Sequence, residues 1–182
     1  MTGAFADFLN QDPWTATALL ALAAVVAALI VHRIADSLLR RATRGAPVLH
    51  AMLLEVERPA GAVLPLLAPQ AVWQAAPNTL PLIDNTRHVN GLLLIAALTW
   101  LAMAAIRGLA LGVIGQHPVD VEDNMQARSI HTQARVLARS AMVVVLLAGM
   151  AMALMTFPGA RQVGASLLAS AGVLGIIRGG RP

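Results

Sequence analysis

The densest group of chemically capable side chains is His117, Asp120, Glu122, Asp123 and His131, two imidazoles and three carboxylates in one polar stretch. Such a set could hold a divalent cation. Its spacing fits neither an HExxH helix, which sets two imidazoles on one face, nor the alternating oxygen ligands of a calcium loop. Carboxylates just ahead of a helix have a simpler use, facing the partial positive charge of its first turn. No metal or cofactor is expected. Ser166 and Ser170 have no His or Lys placed to activate a hydroxyl, so bonding to a carbonyl of the preceding turn is their expected use, as it is for Thr15, Thr17 and Ser37. The chain has no cysteine, which excludes disulfides, thiolate metal sites and thiol nucleophiles. An enzyme is not expected.

The elements that carry these residues are apolar. Hydrophobic residues make up 58% of the 182-residue chain and charged ones 12%, with a positive mean hydropathy. This is the composition of an integral membrane protein, and the expected fold is an all-α polytopic helical bundle forming a single domain. All 13 basic residues are arginine, a bias that together with the alanine content reflects genome composition more than mechanism. The net charge of +4 is spread over segments flanking the apolar runs. There is no basic run with interleaved aromatics, so nucleic acid is not an expected partner.

Five spans are expected, at about 14–31, 59–76, 89–115, 136–157 and 160–177. The first approaches the roughly 20 residues that cross about 30 Å of hydrocarbon. It is no signal peptide, because Asp7 and Asp12 precede it and Arg33, Arg40, Arg41 and Arg44 follow it. Its helix is expected to continue to Gly45 and Pro47, after which VLHAMLLEVE forms a short amphipathic piece. The second span contains Pro65 and Pro69, each costing roughly 3 kcal/mol inside a free helix, so a bent crossing or a re-entrant segment is expected. Pro77–His88 is an expected outside loop. The expected inside loops hold Arg33, Arg40, Arg41, Arg44, Arg58, Arg128 and Arg135, and the outside loops only Arg87 and Arg161. That bias puts the N-terminus outside and the C-terminus in the cytoplasm.

The final apolar stretch, entered through FPG, is built from small residues at 164, 165, 169, 171, 172 and 175. Such a surface lets backbones approach closely in lipid. It suits either a pore lining or packing within one subunit, and Leu168 suits either a constriction or a lipid-facing position. Arg139 lies one turn inside its span and Arg107 near the end of another; both can snorkel to the interface, or form a salt bridge or lipid headgroup contact that transmits tension. Arg161, on the outside turn, suits a pore mouth or plain solvation.

The stretch DVEDNMQARSIHTQARVLARSAMVVV, followed by TFPGARQVGASLLASAGVLGI, resembles the small-conductance mechanosensitive (MscS-like) channel family. FPG followed by RQ, G and SLLASAG at this spacing is the more specific part. The resemblance implies a pore helix beginning at Val163, with Gly164, Ala165, Leu167, Leu168, Ala169, Gly172 and Gly175 lining the pore or its gate. It implies coupling of tension through Arg128, Arg139 and Arg161, and a cytoplasmic link containing Asp120, Asp123, Asn124, Arg128, Thr132 and Gln133. Membrane lipids are the implied partners, with ions and small solutes as the permeants. The implied assembly is a homo-oligomer, heptameric in the best-known members, in the bacterial inner membrane. Its gate would be an apolar constriction that dewets when closed, with tension favouring the state of larger area. In the family the pore helix continues into an amphipathic half-helix and a β-rich cytoplasmic vestibule. Here IIRGGRP follows Gly175, so those parts are expected to be missing. A non-conducting fragment that modulates full-length channels is the alternative expectation.

Overall fold

The computed structural model describes residues 13–116, 125–157 and 159–160. Four long α-helices account for most of them: α1 Pro13–Ala42, α2 Pro47–Ala75, α3 Ile83–Gly115 and α4 Met125–Met155. The described part is all-helical. Three segments, Pro13–Ala42, Ile83–Gly115 and Ser129–Met155, are long and apolar enough to cross a membrane, as a multi-pass membrane protein requires. The expected fifth span at 160–177 lies outside the described residues apart from Ala160, which is helical with Gly159.

Local chemistry sets the helix limits. α1 has no Gly or Pro between Trp14 and Ala42 and ends with Arg40 and Arg41 in its last turn, where cations meet the partial negative charge of the free carbonyls. A 3-10 turn, Thr43–Gly45, leads to Pro47 at the start of α2. Proline suits that position because it lacks an N–H that would have no partner there. The separate amphipathic piece expected before residue 59 is corrected: VLHAMLLEVE is the first part of α2, continuous with the proline-containing stretch.

α2 stays helical through Pro59, Pro65 and Pro69, although each removes one backbone donor and frees the carbonyl four residues earlier. Pro59 and Pro69 are buried, so the breaks in the hydrogen-bond ladder face protein, as an apolar surrounding demands. The prolines, together with Glu55, Glu57 and Arg58, keep α2 off the set of three spanning candidates. The loop expected at 77–88 is also shorter than its sequence suggests. Helix α3 starts at Ile83, directly after Leu82, whose φ of 66° is the only positive value among the described non-glycine residues.

Short connections make sequential helices antiparallel. α1 packs on α2, α2 on α3 and α3 on α4, with no packing between helices that are not sequence neighbours among the described residues. The result is an open row. The small apolar core at one end comprises Ala76, Leu80 and Ile83, flanked by Trp14 and Trp73. Large apolar side chains such as Leu20, Ile30, Leu137 and Val144 point outward, a surface suited to hydrocarbon rather than water.

α2 and α3 meet most closely along small residues. A Cβ on Gly108 would come within 2.5 Å of Met52 Cα, and one on Gly112 within 2.7 Å of Val48 Cα. With Ala97 and Ala104 also buried, α3 presents a small-residue face to α2 of the kind that packs membrane helices.

Candidate functional site

The C-terminal end of α1 and the N-terminal half of α2 form a charged collar. Arg40 donates Nε to Asp36 Oδ2 at 2.8 Å, one turn back on α1, and Nη2 to Glu57 Oε2 across on α2. Arg107, inside the α3 apolar run, lies with its Nη1 3.8 Å from Glu55 Oε2. Pairing offsets part of the cost of holding these groups beside apolar segments. His32 stacks over Gly61, whose missing Cβ would lie 3.1 Å from Nε2. The two helices approach closely at that level, and a side chain at position 61 would require the His32 ring to give by a few tenths of an ångström.

The opposite end is tied by Arg87. Its Nε donates to the Trp73 carbonyl and Nη2 to the Ala76 carbonyl, both at 2.7 Å. Nη1 donates to Asn78 Oδ1 at 2.7 Å and to Asp84 Oδ1 at 3.2 Å. The guanidinium thus closes the C-terminus of α2, the loop and the first turn of α3 together. One turn further into α3, Asn90, only 9% exposed, donates Nδ2 to the Leu66 carbonyl at 3.1 Å and to Gln70 Oε1. These bonds cross from α3 to α2 at Leu66 and Gln70, each the residue directly after a proline, Pro65 and Pro69.

Among the described helices, α4 packs on α3 alone. Gly149 abuts the side chain of Thr99, leaving no room for a Cβ, and the His88 and Phe157 rings meet edge to face at 5.0 Å and 78°. Toward the charged end the two helices separate around an apolar cleft of about 860 Å³. The firm half of the α3–α4 contact therefore lies next to the FPG turn.

Of the residues expected to couple tension, Arg139 lies on the exposed surface of α4 and has no acidic partner among the described residues. Arg128 has helical backbone in the first turn of α4, and Thr132 and Gln133 are likewise helical. These three belong to α4 itself rather than to a link ahead of it. Arg161 and the expected pore residues Gly164, Ala165, Leu167, Leu168, Ala169, Gly172 and Gly175 lie outside the described residues, as do His117, Asp120, Glu122 and Asp123. Among the described residues no three His, Cys, Asp or Glu side chains gather into a metal-binding group.

Sequence reasoning missed four features that carry the packing: the Arg87 clamp, the Asn90–Gln70 pair, the Arg40 bridge and the Gly108/Gly112 face. Two of them had a visible signal. Gly108 and Gly112 are four residues apart in an apolar run, and Asp36 and Arg40 share a helix face at the same spacing. Comparison of the chain with protein-family models, with curated proteins and with solved structures found no match.

Proposed function

We propose that this chain is the membrane domain of a tension-gated channel of the MscS-like type, releasing ions and small solutes on osmotic downshock. The observation that carries the proposal is the order of parts along the chain. An antiparallel row of long apolar helices ends in α4, and the sequence FPGARQVGASLLASAGVLGI follows within a few residues. A segment of Gly, Ala and Ser can approach its copies closely, and an apolar ring formed by Leu167 or Leu168 would gate by dewetting.

In this proposal α2 crosses as the second of five spans, with the N-terminus outside and the C-terminus inside a bacterial inner membrane. The distribution of Arg supports that orientation. Arg40, Arg41, Arg107 and Arg135 belong to the α1–α2 turn end of the row, whereas Arg87 belongs to the other. Copies of the final segment would surround the axis, with lipids against the outer helices. Tension acts on the area of the assembly, and Arg139 on the exposed face of α4 supplies a cation for headgroup phosphates.

Conduction is tested by expressing the full chain in cells lacking their own mechanosensitive channels and recording excised patches under suction. Tension-gated current and improved survival of downshock are expected. Cysteine scanning from 163 to 177 supplies a second reading. At least one helical face should react with a water-soluble thiol reagent under hypotonic stress; a scan silent at every position would overturn the pore assignment.

A further inference from the structure

We infer that α2 crosses the membrane only as one half of a hairpin with α3, held there by polar side chains that α3 supplies. The inference rests on α2 being the second span, as proposed above, and does not require the chain to conduct.

By itself α2 is a poor membrane helix. Pro59, Pro65 and Pro69 interrupt it and take the helical donor from the carbonyls of Glu55, Gly61 and Pro65. Glu55, Glu57, Arg58, Gln70 and Gln74 add polar side chains. Among the described helices α1 and α3, its two neighbours, have the length and apolar composition to cross unaided, and α2 does not.

α3 answers these polar groups at three levels. At the charged end Arg107 stands 3.8 Å from Glu55. Further along, Asn90 donates to the Leu66 carbonyl at 3.1 Å and to Gln70 Oε1. At the opposite end Arg87 donates to the carbonyls of Trp73 and Ala76. Glu55 and Trp73 lie about 27 Å apart along a helix rising 1.5 Å per residue, so the ties extend over most of a hydrocarbon core of about 30 Å. From α1 comes the single tie of Arg40 to Glu57. The ties are therefore unevenly shared, and α3 is the partner on which α2 depends.

Asn90, only 9% exposed, is shielded from water. In such a place a carboxamide that loses its partner is costly, whereas replacing both members of a pair by apolar groups is nearly neutral. The same holds for Glu55 without Arg107 beside an apolar run. α2 thus stays in the membrane where α3 meets its polar groups and is expelled where α3 does not.

The absence of native cysteine makes the test direct. Single cysteines are placed in the full chain at the two turns that flank α2, Gly45→Cys, where a Cβ meets nothing within 4 Å, and the exposed Thr79→Cys. A membrane-impermeant maleimide is applied to spheroplasts and to inverted vesicles. The two positions should react from opposite sides. Asn90→Leu combined with Arg107→Ala should cut reaction of Thr79→Cys from its native side by about threefold or more, the effect of losing bonds of usual strength between membrane helices. The variant should stay in the membrane fraction and react at Thr79→Cys from the other side. Adding Gln70→Leu and Glu55→Gln, which removes the demand from α2, should restore the native pattern, and Arg40→Ala alone should leave it nearly unchanged. An unaltered pattern in the α3 variant, a loss that the α2 substitutions do not restore, or an equal loss from Arg40→Ala would overturn the inference. Reaction of Gly45→Cys and Thr79→Cys from the same side in the otherwise native chain would remove the α2 span itself, a failure seen before any α3 variant is made.

Discussion

Arg87 donates Nε to the Trp73 carbonyl across the α2–α3 turn, with its side chain only 17% exposed. A guanidinium here does what a capping residue does elsewhere, because Trp73 and Ala76 supply carbonyls at the end of α2 that lack helical donors. Arg87→Ala removes every one of these bonds together and should lower stability by about 2–3 kcal/mol, as for charge-assisted bonds to partly buried carbonyls. Arg87→Lys should recover only part, since an ammonium cannot spread over the fork of acceptors. Unfolding in bicelles, followed by the fluorescence of Trp73 and Trp14, measures both.

The small-residue face of α3 makes opposite predictions for two glycines in one helix. Gly108→Ala drives a methyl against the Met52 backbone and should cost about 1–3 kcal/mol, the usual range for overpacking. Gly91 has nothing within 4 Å of its absent Cβ, so Gly91→Ala should stabilise by about 0.5–1 kcal/mol through the helix preference alone. Paired unfolding curves in one detergent decide the matter. Equal effects at the two sites would contradict the packing of α3 on α2.

Leu82 holds a left-handed backbone at φ 66° while its side chain is 71% exposed. The conformation costs a branched residue roughly 1–2 kcal/mol, and little packing is at stake. Leu82→Gly is therefore expected to raise the unfolding free energy, with Leu82→Asn intermediate because its side chain tolerates the same region. A loss of stability in both variants would show that the loop relies on the leucine itself.

The Arg40 bridge joins α1 to α2 on a surface that is part-exposed on both sides. Exposed ion pairs are screened by salt. A double-mutant cycle of Arg40→Gln with Glu57→Gln should show favourable coupling at low salt that largely disappears at high salt. Coupling unaffected by salt would place the pair away from water.

How much of this architecture could be read from the chain depends on the kind of signal involved. The ends of α1 were legible because Gly45 and Pro47 break a long uninterrupted apolar pattern, and Gly115 closes α3 where its apolar run stops. α2 was legible only in part: a bent crossing through its prolines could be expected, but not its continuity with VLHAMLLEVE, since the prolines and charges between the two pieces mark a boundary when read locally. The prolines survive inside a helix only because Pro59 and Pro69 are buried against neighbours, a tertiary fact. α4 starts earlier than hydropathy suggests for a similar reason: the polar turns from Met125 to Arg135 are helical without being apolar. Within the collar, Asp36 and Arg40 were one turn apart in sequence, but Glu57 reaches Arg40 only after α1 and α2 fold back on each other. Arg139, read from the sequence as one turn inside a span, stands further along its helix, because α4 begins at Met125, and its side chain is exposed.

An arrangement in which each helix rests on the one made just before it has a consequence for biogenesis. When α3 leaves the ribosome, its partner α2 is already available, and α4 in turn finds α3 waiting. Pairings between near neighbours in sequence close only short loops, the condition under which folding is fast. Synthesis in order from the N-terminus can thus complete one interface at a time. Reversing the genetic order of the two hairpins would keep every helix yet remove the α2–α3 turn, and with it the seat that Arg87 secures.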